Sequence, residues 1–396
     1  MTASPQFDVI VVGGGPVGTT TALKLAKRGM TVALFEKREA STLEHRASTF
    51  HPPTLEMLEE LGLTQPLIDA GIIARSYQFR DATIGKIVEL DFAVLDDDTA
   101  YPYRVQVEQS RLTAAAQQVI SGEPNVTSTL GAEVIAIRES DDGFEVDVRG
   151  EDGSVSTSTS TYLVAADGSR SLVREHYDID FSGHTYPERY LVITTSLPLH
   201  EIHEDLAVVN YVADPENWHV LLRNPSGWRV LFPCDPALTS EQQTDPAYVV
   251  SQLRRVVPEL DGYPVVHVTV YEVHRKVART FRKGNVFLVG DAAHVNNPLG
   301  GMGMNSGIHD GLLLAELLPG YANGEVSSEE LDDWAEKRRA VARHYVGEET
   351  EGNWNALRDT SEERRAAKRA EWEALGRDET ARRQFLLTSS MLASVR

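Results

Sequence analysis

The sequence of 396 residues contains a single cysteine, Cys234, and many fewer basic than acidic side chains. One thiol can form neither an internal disulfide nor a cysteine cluster, so we predict no metal site and a reducing, cytoplasmic location. The 38 Lys and Arg residues against 59 Asp and Glu residues give a formal net charge of −21. This charge disfavours nucleic acids and anionic lipid surfaces as partners.

The sequence also lacks the long apolar runs of membrane proteins. No run approaches the roughly 18 apolar residues of a spanning helix, and no basic, apolar leader precedes the first strand, which begins by Phe7. The composition is otherwise that of a globular protein, with 41% hydrophobic and 24% charged residues. We therefore expect a cytoplasmic protein of two or three domains with no membrane partner.

A short apolar strand, a glycine-rich turn and a helix open the chain. Residues 7–12 are typical of a strand buried on both faces of a parallel sheet. Gly13, Gly15 and Gly18 follow as G-x-G-x-x-G, in which the glycines permit a tight turn, a close approach to pyrophosphate and helix packing. Glu36 ends the second strand, where it can accept hydrogen bonds from a ribose diol. A glycine turn alone also occurs for structural reasons, but the whole unit predicts dinucleotide binding.

Further buried strands are expected far along the chain, at 31–35, 162–166 and 285–289. An antiparallel block lies between the last two, which indicates a nucleotide-binding domain interrupted by a β-rich domain. Two of these strands run directly into polar motifs, one at 167–174 and the other at 290–305.

With these motifs, the chain resembles the group A flavoprotein aromatic hydroxylases, the family of 4-hydroxybenzoate hydroxylase. Three separated motifs follow the family's order over most of the chain. The resemblance implies an α/β fold: a Rossmann-like FAD-binding domain, an inserted, mainly antiparallel β-sheet substrate domain and a C-terminal helical segment. The expected boundaries are 1–75, 105–175 and 280–326 for the FAD-binding domain, 76–104 and 176–279 for the substrate domain, and 327–396 for the helices.

The resemblance also implies roles for individual residues. Gly13, Gly15, Gly18 and Glu36 would hold the ADP half of FAD, and Pro16, Val17, Lys37 and Val134 are further cofactor-binding positions. Arg46 would lie near the flavin and the pyrophosphate and act in catalysis, Gln109 would contact the flavin side chain, and Asp167 would serve both FAD and the pyridine nucleotide. Asp291 would bind the ribityl chain, and the backbone of Leu299, Gly300, Gly301, Met304 and Asn305 would meet the isoalloxazine ring.

Structural alternatives remain open for several of these residues. Asp167 and Asp291 could each cap a helix or turn, Arg46 could form a surface salt bridge, and His294 is better explained as a structural residue than as a base. By resemblance, the Pro298 carbonyl is a plausible acceptor for a substrate hydroxyl.

The middle strands are expected to carry the substrate. Period-2 alternation predicts an apolar surface of Trp218, Leu222, Trp228 and Phe232, which would surround a neutral ring. The opposite surface would bring together His219, Arg223 and Arg229, which would favour an aromatic carboxylate. Core packing is the third explanation of the apolar surface.

The predicted function is that of an FAD-dependent monooxygenase that uses NADH or NADPH and O2. By resemblance, it would hydroxylate a phenolic or hydroxylated heteroaromatic substrate through a flavin C4a-hydroperoxide. A flavin-dependent reductase or dehydrogenase without oxygen insertion is the alternative, and a non-catalytic nucleotide sensor is the third possibility. The oligomeric state stays open, with a homodimer as one option.

Overall fold

The protein is represented by a computed structural model that describes residues 6–39, 47–140, 143–359 and 361–395. Arg46 lies outside the described residues. The strands are β1 (Gln6–Val12), β2 (Val32–Glu36), β3 (Thr49–Phe50), β4 (Ile72–Ala74), β5 (Ser76–Asp81), β6 (Gly85–Asp91), β7 (Arg104–Gln106), β8 (Val126–Leu130), β9 (Glu133–Ser140), β10 (Gly143–Arg149), β11 (Val155–Ala165), β12 (Phe181–Thr195), β13 (Val209–Ala213), β14 (His219–Asn224), β15 (Gly227–Pro233), β16 (Val265–Ala278), β17 (Arg282–Lys283), β18 (Val286–Leu288) and β19 (His294–Val295).

The helices lie between these strands and in the C-terminal part of the chain. They are α1 (Pro16–Lys27), α2 (Pro52–Glu59), α3 (Thr64–Ala70), α4 (Gln109–Ile120), α5 (Leu172–His176), α6 (Leu199–Ile202), α7 (Ser240–Gln243), α8 (Pro246–Val256), α9 (Met302–Ala322), α10 (Ser328–Ala340), α11 (Gly347–Arg358), α12 (Glu362–Arg377) and α13 (Glu379–Ser389). Among the described residues, no helix is long and apolar enough to cross a membrane.

The first sheet has the strand order β17-β18-β11-β1-β2-β8, with β9 and β10 attached to β11. β18, β11, β1, β2 and β8 run parallel to one another. Residues 9–12 and 32–35 are buried, as expected for parallel strands covered by helices on both faces. The four strands predicted from apolar runs all lie here, which confirms the α/β fold.

The second sheet has the order β19-β16-β12-β15-β14-β13-β5-β6 and is antiparallel except where β13 pairs with β5. Helix α8 packs its buried side chains, including Val249 and Leu253, on one face of this sheet, which we call the back face. The opposite, front face packs against residue Leu299 and the C-terminal helices. The domain boundaries given above remain a prediction.

The C-terminal helices are not simply solvated, because they bury aromatic side chains on the front face. The Trp372 ring in α12 stacks on Phe79 of β5, with the ring centroids 4.4 Å apart. Trp354 of α11 contacts Tyr186 edge-on, at 5.1 Å between centroids. Charged residues occupy the exposed sides of these helices, while the tryptophans and leucines such as Leu357 and Leu386 belong to the apolar cluster on the sheet.

A third, small sheet joins β3, β7 and β4. Thr49 pairs with Gln106, and Phe50 pairs with Val105. Because neighbours along a strand point to opposite faces, Thr49 and Gln106 share one face, and their side chains are linked by a hydrogen bond of 2.9 Å. This sheet supports the start of α9, as described below.

Candidate cofactor and substrate site

The turn between β1 and α1 gives its three glycines different environments. Gly13 adopts φ +103°, which favours glycine, and a Cβ on Gly18 would lie 1.8 Å from the Gly13 carbonyl oxygen. A Cβ on Gly15 would meet no described atom within 4 Å. Gly13 and Gly18 therefore permit the tight turn, whereas Gly15 leaves open space at the N-terminus of α1. A phosphate group fits there, since the first turn of a helix offers unpaired N–H groups.

The carboxylate of Glu36 lies directly beside this turn. Its Oε2 accepts a hydrogen bond of 2.7 Å from the Gly14 N–H, and its Oε1 accepts one of 3.0 Å from the Arg38 N–H. Ala132 N–H donates to the Glu36 carbonyl at 2.8 Å, so the start of β9 adjoins the end of β2. Val134 is buried in β9, and Lys37 is exposed after β2. The acid thus lies where a ribose next to the turn could reach it.

The two later motifs meet this turn at the carboxyl ends of the parallel strands. A Cβ on Gly13 would lie 2.3 Å from the carbonyl oxygen of Ala166, the residue before Asp167. Val17 contacts Gly290, because a Cβ there would lie 3.0 Å from a Val17 methyl carbon. Pro16 precedes Val17 at the start of α1. This edge of a doubly wound sheet is the usual place for a bound nucleotide.

The two motif aspartates lie in different environments. Asp167 is largely buried, its Oδ2 accepts a long hydrogen bond of 3.3 Å from the Val173 N–H, and burial raises the pKa of its carboxyl group. The N-cap residue of α5 is Ser171, so Asp167 adds a contact to the first turn of that helix from outside it. Asp291 is exposed at the turn beside Val17, which leaves its carboxylate accessible from the same edge.

The loop before α9 presents a second helix N-terminus. Gly300 and Gly301 adopt φ +104° and +67°, and the Gly301 N–H donates to the Pro298 carbonyl at 3.0 Å. Met304 lies in the first turn of α9 and is 9% exposed. Because α9 has 21 residues, its dipole favours negative charge in front of this loop. We call residues 297–301 the ring loop.

Asn305 fixes the start of α9 to the small sheet and α2. Its Oδ1 accepts hydrogen bonds from the His51 N–H at 3.0 Å and the Thr54 hydroxyl at 2.7 Å. Its Nδ2 donates to the Thr49 carbonyl at 2.8 Å and to the Gly301 carbonyl at 2.7 Å. The Asn305 side chain is therefore occupied within the protein.

His51 supports the ring loop directly, since its Nε2 donates to the Gly300 carbonyl at 2.9 Å. The sequence reasoning missed His51, Thr49 and Thr54. Two prolines after His51 marked the start of a helix, but no local pattern linked this segment to residues about 250 positions away.

Gln109 begins α4, and its N–H donates to the Ala47 carbonyl at 3.1 Å. Ala47 directly follows Arg46. Arg46 itself lies outside the described residues, so its predicted role stays a prediction.

The register of the second sheet corrects the predicted substrate surface. Leu222 pairs with Arg229, and Arg223 pairs with Trp228, and directly paired residues share a face. Trp218 and Leu222 therefore lie on the front face, near Leu299, whereas Trp228 and Phe232 lie on the back face under α8. The prediction that all four surround one ring is wrong.

The predicted opposite surface is also wrong, for the same reason. His219 lies on the back face against Phe232, with the ring centroids 5.6 Å apart, and Arg223 shares that face. Arg229 instead lies on the front face, where its Nη1 donates to the Ser48 hydroxyl at 3.1 Å. Burial lowers the pKa of Arg229, and the Glu108 charge opposes that shift.

Two further contacts tie the ring loop to the rest of the molecule. The Asn297 Nδ2 donates to the Tyr190 hydroxyl at 3.0 Å, and its Oδ1 accepts from the Leu299 N–H at 3.1 Å. Behind the loop, His294 donates to the Asp310 carboxylate at 2.8 Å, and Arg338 donates to the same carboxylate at 2.6 Å. His294 is therefore structural in this arrangement.

The chain is similar to a known protein family and to individual monooxygenases. The family described as "FAD binding domain" matches residues 6–349. The chain is 32% identical over 384 residues to para-nitrophenol 4-monooxygenase of Pseudomonas sp. (strain WBC-3), covering 96% of this chain and 94% of that protein. It is 30% identical over 339 residues to 6-hydroxy-3-succinoylpyridine 3-monooxygenase of Pseudomonas putida (strain DSM 28022 / S16), covering 85% of each.

The chain is also similar in structure to solved monooxygenases and hydroxylases. The crystal structure of p-nitrophenol 4-monooxygenase PnpA from Pseudomonas putida DLL-E4 superposes with a TM-score of 0.89 at 30% identity, over 98% of each chain. A complex of aklavinone-11 hydroxylase with FAD and aklavinone gives a TM-score of 0.79 at 26% identity, over 90% of this chain and 70% of that one.

Proposed function

From the premise that this chain belongs to the group A flavoprotein aromatic hydroxylases, we propose that its substrate is a neutral phenol bound between the ring loop and the front face of the second sheet. The family establishes the general activity, which is that of an FAD-dependent monooxygenase that consumes NAD(P)H and hydroxylates an aromatic ring. The proposal includes four points that go beyond that activity. They are the identity of the substrate, the use of O2 as the oxygen donor, a homodimer and a cytoplasmic location.

The described residues fit FAD along one path across the carboxyl edge of the first sheet. Gly15 and the N-terminus of α1 would hold the pyrophosphate, Glu36 the ribose, and Asp291 the ribityl chain. Residues 299–304 would face the flavin ring through backbone N–H groups and the dipole of α9. When bound, FAD supplies the redox chemistry by accepting electrons from NAD(P)H and activating O2.

We also propose that Arg46 acts in catalysis. Three further residues would contact the cofactor: Gln109, Val134 and Asp167. The side chain of Asp167 has one oxygen without a hydrogen-bond partner among the described atoms, so it can still accept a bond from a ligand. Asn305 would act through its position at the start of α9, because its side chain is occupied.

We further propose that the Pro298 carbonyl orients a substrate hydroxyl. It already accepts a hydrogen bond from the Gly301 N–H, but a carbonyl oxygen has two lone pairs. The second lone pair could accept a hydrogen bond from the phenol hydroxyl, which would hold the substrate oxygen at the ring loop.

The observation that carries the neutral-phenol proposal is the register of β14 and β15. It places Trp218 and Leu222 on the front face and removes Arg223 from it. Arg229 does lie on that face, but it is engaged with Ser48 and lies in the field of Glu108. Binding would therefore rest on burial of apolar surface, at about 25 cal/mol per Å2, and on aromatic contacts.

The first experiment measures NAD(P)H oxidation, O2 consumption and hydroxylated product with p-nitrophenol, phenol and 4-hydroxybenzoate. We expect p-nitrophenol or phenol to give coupled turnover with a kcat/KM at least about tenfold above that of the carboxylate. Preference for 4-hydroxybenzoate would contradict the neutral-phenol proposal, and NAD(P)H oxidation without hydroxylated product for any phenol would contradict hydroxylation.

Two neighbouring leucines of β14 provide a matched pair of variants. Leu222→Ala should raise KM for the phenol, because Leu222 lies on the front face. Leu221→Ala should lower stability by about 2–5 kcal/mol, as buried leucines do, while KM stays close to that of the parent. Equal changes in KM would contradict the assignment of the front face to the substrate.

A further inference from the structure

A buried polar face lies directly behind the ring loop. Thr49 and Gln106 share this face of the small sheet, and Arg104, two residues before Gln106 in β7, lies on it as well. His51 follows β3 and donates to the Gly300 carbonyl. Each of these four side chains is at most 6% exposed. On this side the ring loop therefore packs against polar groups, whereas Leu299 packs against the apolar side chains of the front face.

Arg104 is the charged residue of this face, and its position is unusual. The residue is 3% exposed, and its guanidinium carbon lies 4.6 Å from the Tyr77 ring centroid and 5.2 Å from that of Phe92. Its Nη2 donates to the Ser389 carbonyl at 2.9 Å. Within the described part of the chain, no carboxylate forms an ion pair with it, and its Nε has no hydrogen-bond partner. A buried cation with this little compensation is costly.

Two side chains near Arg104 also lie near Gly300. The buried Tyr211 hydroxyl is close enough to the Gly300 N–H and to the Arg104 guanidinium for both to lower the pKa of Tyr211, against the effect of burial. On the other side, His51 donates to the Gly300 carbonyl. Burial and the Arg104 charge both lower the pKa of His51 well below its ordinary value, so His51 stays neutral.

The positive sign of the Arg104 charge matters because the flavin ring is expected to face the ring loop. The N-terminus of α9 already carries the positive end of a helix dipole, and Arg104 adds a full positive charge behind it. The dipole of α9 and the Arg104 charge lie on one side of Gly300, and both favour an anion on its other side. A flavin ring becomes anionic when it is reduced, so this arrangement favours the reduced form over the oxidised form.

We propose that Arg104 is a positioning residue that fixes the Gly300 peptide through Tyr211 and whose charge selectively stabilises reduced flavin at the ring loop. This inference rests on the proposed function, because it requires FAD to bind there. Arg104 touches neither substrate nor the reacting atoms in this assignment, and it acts through the loop and through its electric field.

The test compares Arg104→Met with Arg104→Lys in purified, FAD-loaded protein. The measured quantity is the midpoint potential of bound FAD, which reports the ratio of affinities for reduced and oxidised flavin. We expect this ratio to fall about tenfold in Arg104→Met, which corresponds to about 30 mV for a two-electron couple. Arg104→Lys keeps the charge and should retain most of the ratio.

Arg282→Met is the matched control, because Arg282 is also buried but pairs with Asp332 at the edge of the first sheet. It should lower stability without changing the potential. An unchanged potential in Arg104→Met, or an equal change in Arg282→Met, would overturn the electrostatic part of the proposal.

Tyr211→Phe tests the positioning part and also applies if Arg104→Met fails to fold. It removes the hydroxyl between Arg104 and Gly300 but keeps the charge, so FAD affinity should fall several-fold with a smaller change in the ratio. Unchanged FAD affinity would overturn positioning through Tyr211. Failure of the unaltered protein to bind FAD would instead contradict the proposed function, which separates the two outcomes.

Discussion

Two glycine-rich turns lie at helix N-termini in this molecule, and they are held in different ways. The turn from Gly13 to Gly18 is fixed by its own backbone and by one nearby carboxylate, that of Glu36. The ring loop and the first turns of α9 are fixed by side chains that are distant in sequence, with hydrogen bonds spanning 249 to 256 positions. One turn is locally specified, and the other depends on the whole fold.

The difference has a physical reason. The first turn connects a strand and a helix that pack on each other, so close approach of Gly18 to Gly13 is enough to define it. The ring loop follows a short strand at a sheet edge and contains two glycines with positive φ. Because glycine restricts the backbone less than other residues do, these two positions alone do not define the conformation of the loop. Remote hydrogen bonds from buried side chains supply the missing constraint.

The largest expected effect concerns the buried charges behind the ring loop. Asp310 is fully buried and accepts hydrogen bonds from His294 and Arg338. Asp310→Asn should lower the free energy of unfolding by about 3–5 kcal/mol, because it leaves the Arg338 charge buried without its partner. Asp332→Asn removes an acid that is 68% exposed, and the buried Arg282 keeps its hydrogen bonds to the Gly284 and Ser328 carbonyls, so it should cost only about 1 kcal/mol. Denaturant unfolding measures both, and equal losses would contradict the comparison.

The second effect is acid sensitivity near the start of α9. Burial, with a contribution from the Arg338 charge, lowers the pKa of His309 to about 3, against roughly 6.5 in the unfolded chain. The unfolded state then binds the extra proton, so stability is complete above pH 6.5 and falls as the pH decreases towards 3. The loss from His309 alone should reach roughly 3 kcal/mol at pH 4.

Unfolding of His309→Gln between pH 7 and pH 4 checks this expectation. The His309 Nε2 lies 2.8 Å from the Thr54 hydroxyl, to which a glutamine amide can also donate. The variant should lose less stability on acidification than the parent protein. His184→Gln, at an exposed position, controls for removal of a histidine. A parent-like pH slope in His309→Gln would show that the acid sensitivity lies elsewhere.

A smaller effect distinguishes two glycines within the first turn. Gly18→Ala should cost about 1–3 kcal/mol, because its Cβ would overlap the Gly13 carbonyl. Gly15→Ala should change stability by only about 0.5 kcal/mol but weaken FAD binding, because its Cβ would point into the space assigned to the pyrophosphate. Thermal unfolding and FAD titration separate the two, and a reversed order would contradict the roles of these glycines.

The smallest effect is expected at Glu36. Glu36→Gln keeps one side-chain oxygen, so the affinity for FAD should fall by no more than about tenfold. Expressed as a free energy, this loss is smaller than that of a hydrogen bond to a charged group. The free energy of unfolding should hardly change. A complete loss of FAD binding would mean that the first turn depends on this carboxylate more than its backbone geometry suggests.

Sequence reasoning worked where the structure is local. The strand, turn and helix around Gly13 could be predicted because neighbouring residues determine them, and the later glycine motif was recognised in the same way. Arg104, His51 and Tyr211 were not singled out, because each is ordinary in its own segment. They become informative only when β7, β13 and the residue that follows β3 come together behind the ring loop.

The substrate sheet shows an error that the sequence could have prevented. Alternation predicts correctly which residues share a face within β14 and within β15, but it does not show that Trp218 and Trp228 lie on opposite faces of the sheet. Asn224 pairs with Gly227 across a two-residue turn, so even-numbered residues of β14 oppose odd-numbered residues of β15. The Pro225-Ser226 turn was visible in the sequence, and its length alone would have placed Arg229 with Leu222.

The sequence by itself determined the α/β fold, the glycine turns and the family, because these depend on periodicity and on spacing between near neighbours. Only the tertiary structure decided which face of the second sheet meets the ring loop and which side chains hold Gly300. Those contacts join residues separated by roughly 90 to 250 positions along the chain. Their free energy depends on burial and on hydrogen-bond geometry, which local residue patterns do not encode.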